Sequence, residues 1–541
     1  MAKADSLTGV LRNPTFRMLW LATLASNFGT LVQSVGAAWM MTELTASESM
    51  VALVQTSVTA PIMVFSLIAG VFADNFDRRK VMLVAQVFMF AVSVILTLLA
   101  YRTLLTPWLL LTFTFLIGCG TALHNPSWQA SVGDIVSRAE VPSAVTLNGM
   151  GFNAMRSIGP AAGGAIVALA GAAAAFAVNA ASYVAITAAL LRWRPAQPPK
   201  RLPREPFGIA FQAGLRYVAM SPNLMKVILR VFVYGVSAVA VQALLPVVVR
   251  DNLAGNAFVF GTLLGGFGIG AVIGALGNAR LRARYENETI TRIGFLGFAL
   301  SSLTLAFSPY IALSAAALLL AGACWVVSLS LFNVTMQMST PRWVVGRALA
   351  LYQTGLFGGM AAGSWLWGAL SETIGTNGAL SAAALMLLFG AAIGLRAPLP
   401  DFGDLNLDPL NRFTAPPLRL DLTQRSGPIM IMVDYEIAQQ DVPEFLAAMS
   451  VRRRIRMRDG AQQWTLLRDL ENPDMWTETY HVPTWVEYIR HNERRTQADA
   501  EITDRLRALH KGPLPLRVHR MIERQTVTPH DDMPRLADEP H

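Results

Sequence analysis

Gly70-Val71-Phe72-Ala73-Asp74-Asn75-Phe76-Asp77-Arg78-Arg79-Lys80 is the segment on which the reading of the chain turns. It gathers two acids and three basic residues between two long apolar runs, near 49–73 and 81–101. Each run reaches the roughly 20 apolar residues that a membrane-spanning helix needs. Moving outward, the same alternation predicts further spans near 16–41, 106–128, 143–169, 171–192, 224–250, 256–279, 290–307, 309–332, 346–370 and 376–396. Composition agrees. Of 541 residues 53% are apolar and only 15% charged, against about 25% charged in soluble domains.

Lys and Arg fall on one set of loops. Lys3, Arg12 and Arg17 are followed by Arg78, Arg79 and Lys80, then by Arg138. Arg192, Arg194, Lys200, Arg201 and Arg204 come next, then Arg280, Arg282 and Arg284, then Arg342 and Arg347. The other loops hold little beyond Arg102 and Arg250. Cytoplasmic loops carry such an excess, so both termini are expected in the cytoplasm of a bacterial inner membrane. The net charge of +9 is thereby accounted for without nucleic acid. No aromatic-interleaved basic motif supports that partner either.

The halves repeat. Leu123-His124-Asn125-Pro126-Ser127-Trp128-Gln129 answers Leu331-Phe332-Asn333-Val334-Thr335-Met336-Gln337. Gly151, Gly159 and Gly164 then align with Gly355, Gly363 and Gly368. Two similar six-helix halves, 1–191 and 223–397, are expected on either side of a cytoplasmic linker at 192–222. Paired repeats of this kind place the substrate path at their interface.

The quoted segment resembles the signature between the second and third helices of the major facilitator superfamily: Gly70, Asp74 four residues on, then Arg78 and Arg79. Asn75 and Asp77 depart from its commonest form. Gly159-Pro160-Ala161-Ala162-Gly163-Gly164 is similar to the motif of the superfamily's exporters, although Met155 replaces a Gly that often precedes it. With Asn148, Asn153 and Arg156 nearby, the chain resembles the subfamily of bacterial siderophore and drug exporters over about 1–398. The resemblance implies an all-α, twelve-helix membrane fold. It also implies a gate formed by Gly70, Asp74, Arg78 and Arg79, and export of a small organic compound, a siderophore or a drug-like molecule, by alternating access with possible proton coupling. An importer of the same fold is the alternative.

Polar groups in hydrocarbon are costly and usually face the bundle interior. Asn27, Gln33, Asn148, Asn153, Arg156, Gln242, Asn333 and Gln353 are therefore candidates for the path, and Gln33 and Gln242 hold comparable places in the first helix of each half. No Asp or Glu is expected well inside a span, so the residue carrying a proton is not located. Arg156 lies ~14 residues beyond Pro142, about 21 Å at the helical rise and near mid-membrane. It could bond a neighbouring helix's carbonyls, reach back to the surface, or supply positive charge to a substrate.

After a Pro- and Asp-rich linker at 398–427, the order β-α-β-β-α-β over 428–526 is that of a ferredoxin-like unit. That unit resembles the antibiotic-biosynthesis monooxygenases, with a disordered tail expected at 527–541. Trp464, Trp476, His481 and Trp485 are candidates to line a pocket there, core packing and dimerisation being the plainer reading. The resemblance leaves a monooxygenase-like or ligand-binding tail as a further alternative. No phosphate-cradling Gly-rich loop of the Walker type appears, which argues against ATP-driven transport. Neither Cys119 nor Cys324 has metal-ligand spacing. The chain is thus expected to be a transporter rather than an enzyme, with no catalytic residues, metal or cofactor. Its partners are the lipid bilayer and a small-molecule substrate.

Overall fold

The computed structural model describes residues 9–523 except 76, 138, 139, 195–206, 342, 401–405, 408, 409, 411, 412, 415, 421 and 424. The side chains at 66–75, 130, 142, 207, 209 and 210 lie outside it as well. The described residues form two compact units. The first spans the membrane part; the second comprises 205–225, 337–348 and everything from 402. The later part of the segment expected as a plain linker, from 205, therefore carries a helix and belongs to the second unit.

In the first unit the helices are α1 (Pro14–Leu44), α2 (Glu48–Asn75), α3 (Arg78–Tyr101), α4 (Pro107–Ile135) and α5 (Val141–Arg192). After α6 (Phe207–Ala219) come α7 (Pro222–Val247), α8 (Ala257–Arg284), α9 (Asn287–Phe307), α10 (Ile311–Met338) and α11 (Val345–Ile393). Their starts are written locally. Asn13 accepts from the backbone N–H groups of Thr15 and Phe16 at 3.0 and 3.1 Å, with Pro14 in the first turn. Asp77 caps α3 through the Arg79 N–H at 3.0 Å. Asp77, one of the two departures from the signature's commonest form, thus has a capping role.

Two helices are double. α5 breaks at Gly171 (φ 77°) and α11 at Gly375 (φ 76°), backbone conformations that disfavour any side chain. Both limbs of α5 run along α1. Gly151, Gly159 and Gly163 meet Leu24, Leu31 and Val32 on the way up. Beyond the break, Phe176 meets Gly36 and Asn179 meets Gly29 on the way back. In the second half Gly355, Gly359 and Gly363 meet Ile228, Phe232 and Val236 of α7. Seven single helices, two doubled ones and the 31-residue α1 make twelve membrane-length segments among the described residues. Their outer faces keep large apolar groups exposed, among them Leu169 at 88% and Leu276 at 76%. A bilayer accommodates such a surface; water does not.

The tail holds β1 (Ile429–Glu436), α12 (Val442–Asp459), β2 (Gln462–Arg468), β3 (Met475–Val482), α13 (Trp485–Glu493), α14 (Gln497–Leu509) and β4 (Arg517–Ile522). The sheet order is β2-β3-β1-β4, antiparallel throughout, which is the ferredoxin-like arrangement. Alternate residues of β1 (Ile429, Ile431, Val433 and Tyr435) are buried, in one core with Phe445 and Met449 of α12. The second helix of the expected β-α-β-β-α-β order is two, α13 and α14, because Thr496 and Asp499 form a capping box that restarts it. One carboxylate ties the core together. Glu478 accepts from Arg452 at 2.8 Å, Arg456 at 3.4 Å, Trp464 at 3.0 Å and the Tyr435 hydroxyl at 3.1 Å.

Candidate functional site

Where α1, α2, α4 and α7 converge, a cavity of about 110 Å³ opens. Gln33, Gln55 and Gln242 line it, with Thr30, Thr114 and Thr121. The repeat thus places one glutamine from the first helix of each half in one chamber. Gln33 is held from behind. Its Oε1 accepts from Ser93 Oγ at 3.0 Å and from Asn179 Nδ2, and Asn179 also donates to the Tyr183 hydroxyl at 3.1 Å. Gln242 differs: its Nε2 is buried with no partner among the described residues. An unmet buried donor costs about 1–3 kcal/mol, which an acceptor atom entering the chamber would relieve.

The remaining candidates are dispersed. Asn27, Asn148, Asn153, Arg156, Asn333 and Gln353 do not line this chamber. Asn148 Oδ1 is buried without a partner among the described residues. Arg156, on α5, stands over the rings of Phe267 (5.0 Å to the centroid) and Trp325 (5.9 Å), from α8 and α10. Among the described residues no carboxylate and no carbonyl binds its guanidinium, so of its three sequence-based roles carbonyl bonding is not what the structure shows. An aromatic pair holds the charge instead.

Gly159, Pro160, Gly163 and Gly164 form a packing surface on α5. A Cβ at Gly164 would stand 2.6 Å from the Ala257 carbonyl and 2.8 Å from Gly261 Cα, and one at Gly261 would stand 2.6 Å from Gly164 Cα. At the equivalent crossing Gly368 of α11 meets Ala52 and Ser49 of α2. The fifth span therefore meets the eighth as the eleventh meets the second. These are the two seams between the halves, and glycine makes both close.

Of the gating candidates, Gly70 and Asp74 lie in α2, and the Asp74 side chain lies outside the described residues. Arg78 pairs with Asp134 of α4 at 2.8 Å. Arg79 donates to the Leu190 and Leu191 carbonyls at the end of α5, both at 2.8 Å. At the opposite end of the bundle the halves are bonded to each other. Glu372 accepts from Ser47 Oγ at 2.5 Å and Ser49 Oγ at 2.8 Å, Thr376 donates to Glu48 at 3.0 Å, and Arg250 reaches the Thr42 carbonyl at 3.4 Å.

Two internal polar pairs were not anticipated. Glu288, near the start of α9, is 9% exposed and binds Arg230 of α7 at 2.6 Å, while Arg230 also donates to the Gly390 carbonyl at 2.7 Å. Glu288 lies in the first turn of α9, ahead of the span expected at 290–307, and so is not an acid well inside a span. Gln86 meets His124 Nδ1 at 3.1 Å, both of them buried.

Comparison with known proteins follows the same lines. The chain is 28% identical over 379 residues to the enterobactin exporter EntS of Escherichia coli O1:K1 / APEC, covering 70% of this chain and 90% of that one. The EntS of Shigella boydii serotype 18 gives the same figures. Among solved structures, the inward-facing bacterial homologue of the human lysosomal transporter Spinster superposes with a TM-score of 0.59 at 14% identity, covering 72% of this chain and 97% of that one. The nucleoside transporter NupG (D323A mutant) gives 0.60 at 12%, covering 71% and 99%. The model of the transmembrane secretion effector family matches residues 6–527, tail included. With its twelve membrane segments, its repeated halves and that match, the chain belongs to the transmembrane secretion effector family of major facilitator transporters.

Proposed function

We propose that the protein is a secondary active exporter that carries a small organic anion, siderophore-like or drug-like, outward across the bacterial cytoplasmic membrane. Similarity over 90% of the length of a siderophore exporter carries the reading. The substrate path runs between the halves past Gln33 and Gln242, whose chamber of about 110 Å³ is one station on it, and past Arg156, which lies outside that chamber and contributes positive charge. Both termini lie in the cytoplasm, by the distribution of Lys and Arg. The bonded end at Glu372 then faces outward, and the described state is closed there. Gly70, Asp74, Arg78 and Arg79 gate the cytoplasmic end. In this reading the coupling proton rides on His124, since Glu288 is committed to Arg230. The sheet face opposite the helices, with Met430, Met432 and the 47%-exposed Met521, is where two tails would pair.

Efflux from preloaded cells tests direction. Cells lacking the protein should retain more of a labelled catecholate siderophore than cells expressing it. Higher accumulation in the expressing cells would mean import and refute the reading. The seams give a second test. Gly261→Leu places a side chain where a Cβ alone would stand 2.6 Å from Gly164 Cα. Overpacking of this kind costs about 1–3 kcal/mol or more. Membrane-inserted protein should persist on immunoblots while efflux falls at least about tenfold; wild-type efflux would show that the seam tolerates separation.

A further inference from the structure

A cavity of about 720 Å³ lies inside the tail domain, between the sheet and the helices. A drug-sized molecule fits a space of about 300–1,000 Å³. Its walls carry five arginines: Arg452 and Arg456 from α12, Arg495 from the turn after α13, Arg507 from α14 and Arg520 from β4. The aromatic residues expected to form a pocket do not form this one. Trp464 is bonded to Glu478, Trp476 packs on Phe445 at 5.6 Å, Trp485 stacks on Tyr488 at 5.1 Å, and none of these, nor His481, lines the cavity.

Charge in this cavity is unbalanced. Glu478 alone serves both Arg452 and Arg456. Asp504 is paired with Arg507 at 3.2 Å, and the nearby Asp459 and Asp499 are both held by Arg458. His491 accepts from Arg456 at 2.8 Å, which requires a neutral ring and adds no charge. Arg520 donates to the Tyr488 hydroxyl at 2.6 Å, and no acid meets it among the described residues. That leaves Arg495. Among the described residues neither a carboxylate nor a hydrogen-bond acceptor meets its guanidinium. Burial, then the charges of Arg456 and Arg452, bring it down to about 10. A cation kept in such surroundings is matched by an anion from outside the fold.

The rest of the wall selects shape. Tyr480 lies under Arg456 with 4.5 Å from the guanidinium carbon to the ring centroid, and Tyr488 stands opposite Phe413 at 6.0 Å. The segment before the sheet closes one side. The Leu410 N–H donates to the Arg495 carbonyl and the Ala498 N–H to the Asn406 carbonyl, each at 2.9 Å.

We propose that the tail domain binds an organic anion with a planar ring, its charge met by Arg495 and its ring flanked by Tyr480 and Tyr488. The site is separate from the transport path and does not depend on the direction of transport. It gives the tail a ligand of its own.

Isothermal titration of the full-length protein in detergent tests it, with 2-naphthoate, its neutral isostere 2-naphthamide, and inorganic phosphate as probes. 2-Naphthoate should bind, and 2-naphthamide at least about tenfold more weakly. Arg495→Gln should lower naphthoate affinity by about 10- to 100-fold, the range set by a charge-assisted hydrogen bond. Arg495→Lys should fall between, keeping the charge without the planar fork. Arg505→Gln, an exposed arginine of α14 that is paired with Glu444 and lies outside the cavity, should bind naphthoate as wild type does. If Arg495→Gln loses the protease resistance of the tail, Arg520→Gln should show the same drop in affinity. The proposal is overturned if naphthoate does not bind, if it binds the Arg495→Gln protein unchanged, or if naphthamide or phosphate binds as tightly.

Discussion

Arg156→Gln is expected to reduce transport of anionic substrates by about 100-fold while neutral substrates of the same protein are still moved, and Arg156→Lys to keep part of the anionic activity. The guanidinium is held by two aromatic faces, Phe267 and Trp325, and by no acid among the described residues. Cation–π contacts contribute about 0.5–2 kcal/mol and leave the charge unneutralised. Removing the charge therefore strands no buried partner, unlike the loss of one member of an ion pair. What is lost is attraction to an anion in a medium of low dielectric, where a charged hydrogen bond contributes about 1.5–3 kcal/mol. Lysine keeps the charge and loses the fork. Proteoliposomes loaded with one anionic and one neutral substrate measure the difference. Equal loss of both, at equal expression, would make Arg156 a structural residue.

The tail should fail at a different point. Glu478→Ala leaves Arg452 and Arg456 buried without a counter-charge, and two further donors, Trp464 and Tyr435, without an acceptor. Breaking a buried pair in this way costs about 3–5 kcal/mol, comparable with the whole stability of a small domain. Limited proteolysis of the full-length protein should cut 429–522 rapidly while the twelve spans remain intact; an equally resistant tail would show the network to be dispensable. Acid should act on the same core. The charges of Arg452 and Arg456 outweigh burial and hold Glu478 down to about 2. Its contribution is complete above the ordinary value of 4.5 and is lost as pH falls from there toward about 2. His491 responds earlier. Burial and the adjacent Arg456 keep it neutral well below its ordinary 6.5. Unfolding lets it take a proton, so its share of stability is complete above about 6.5 and declines as the pH drops further. Protection of the tail amides against hydrogen exchange, relative to the intrinsic rate at each pH, should therefore fall first between about pH 6.5 and 5, and Glu478 should add to the loss below about 4.5.

Much of the membrane fold was legible because hydrocarbon enforces one rule on every span. The breaks near 170 and 375 could be placed from the ends of apolar runs, and the aligned glycines of the two halves occupy matching seams. Gln33 and Gln242 were paired by the repeat alone and do line one chamber. Glu288 escaped because it precedes the apolar run of its helix, and two of its partners, Arg230 fifty-eight positions earlier and the Leu399 N–H, are distant along the chain. The helix Phe207–Ala219 was hidden behind the prolines of the connector. In the tail the order of elements was readable and the pocket was not, although strand parity offered a warning. Trp476 and His481 stand an odd number of residues apart on β3 and so project from opposite faces of the sheet. The arginines that do share a cavity come from two helices, a turn and a strand, a coincidence that no local spacing announces.

Turns of a single residue leave the chain no slack. At Gly171 and Gly375 one helix reverses into the next with nothing between them. Sliding one limb past the other by a helical turn would require about 5.4 Å of extra chain, more than the ~3.6 Å that one extended residue supplies. Each pair of limbs is therefore locked in register. A spectroscopic ruler laid across either hairpin should read one length throughout the cycle, and whatever moves must be sought elsewhere in the bundle.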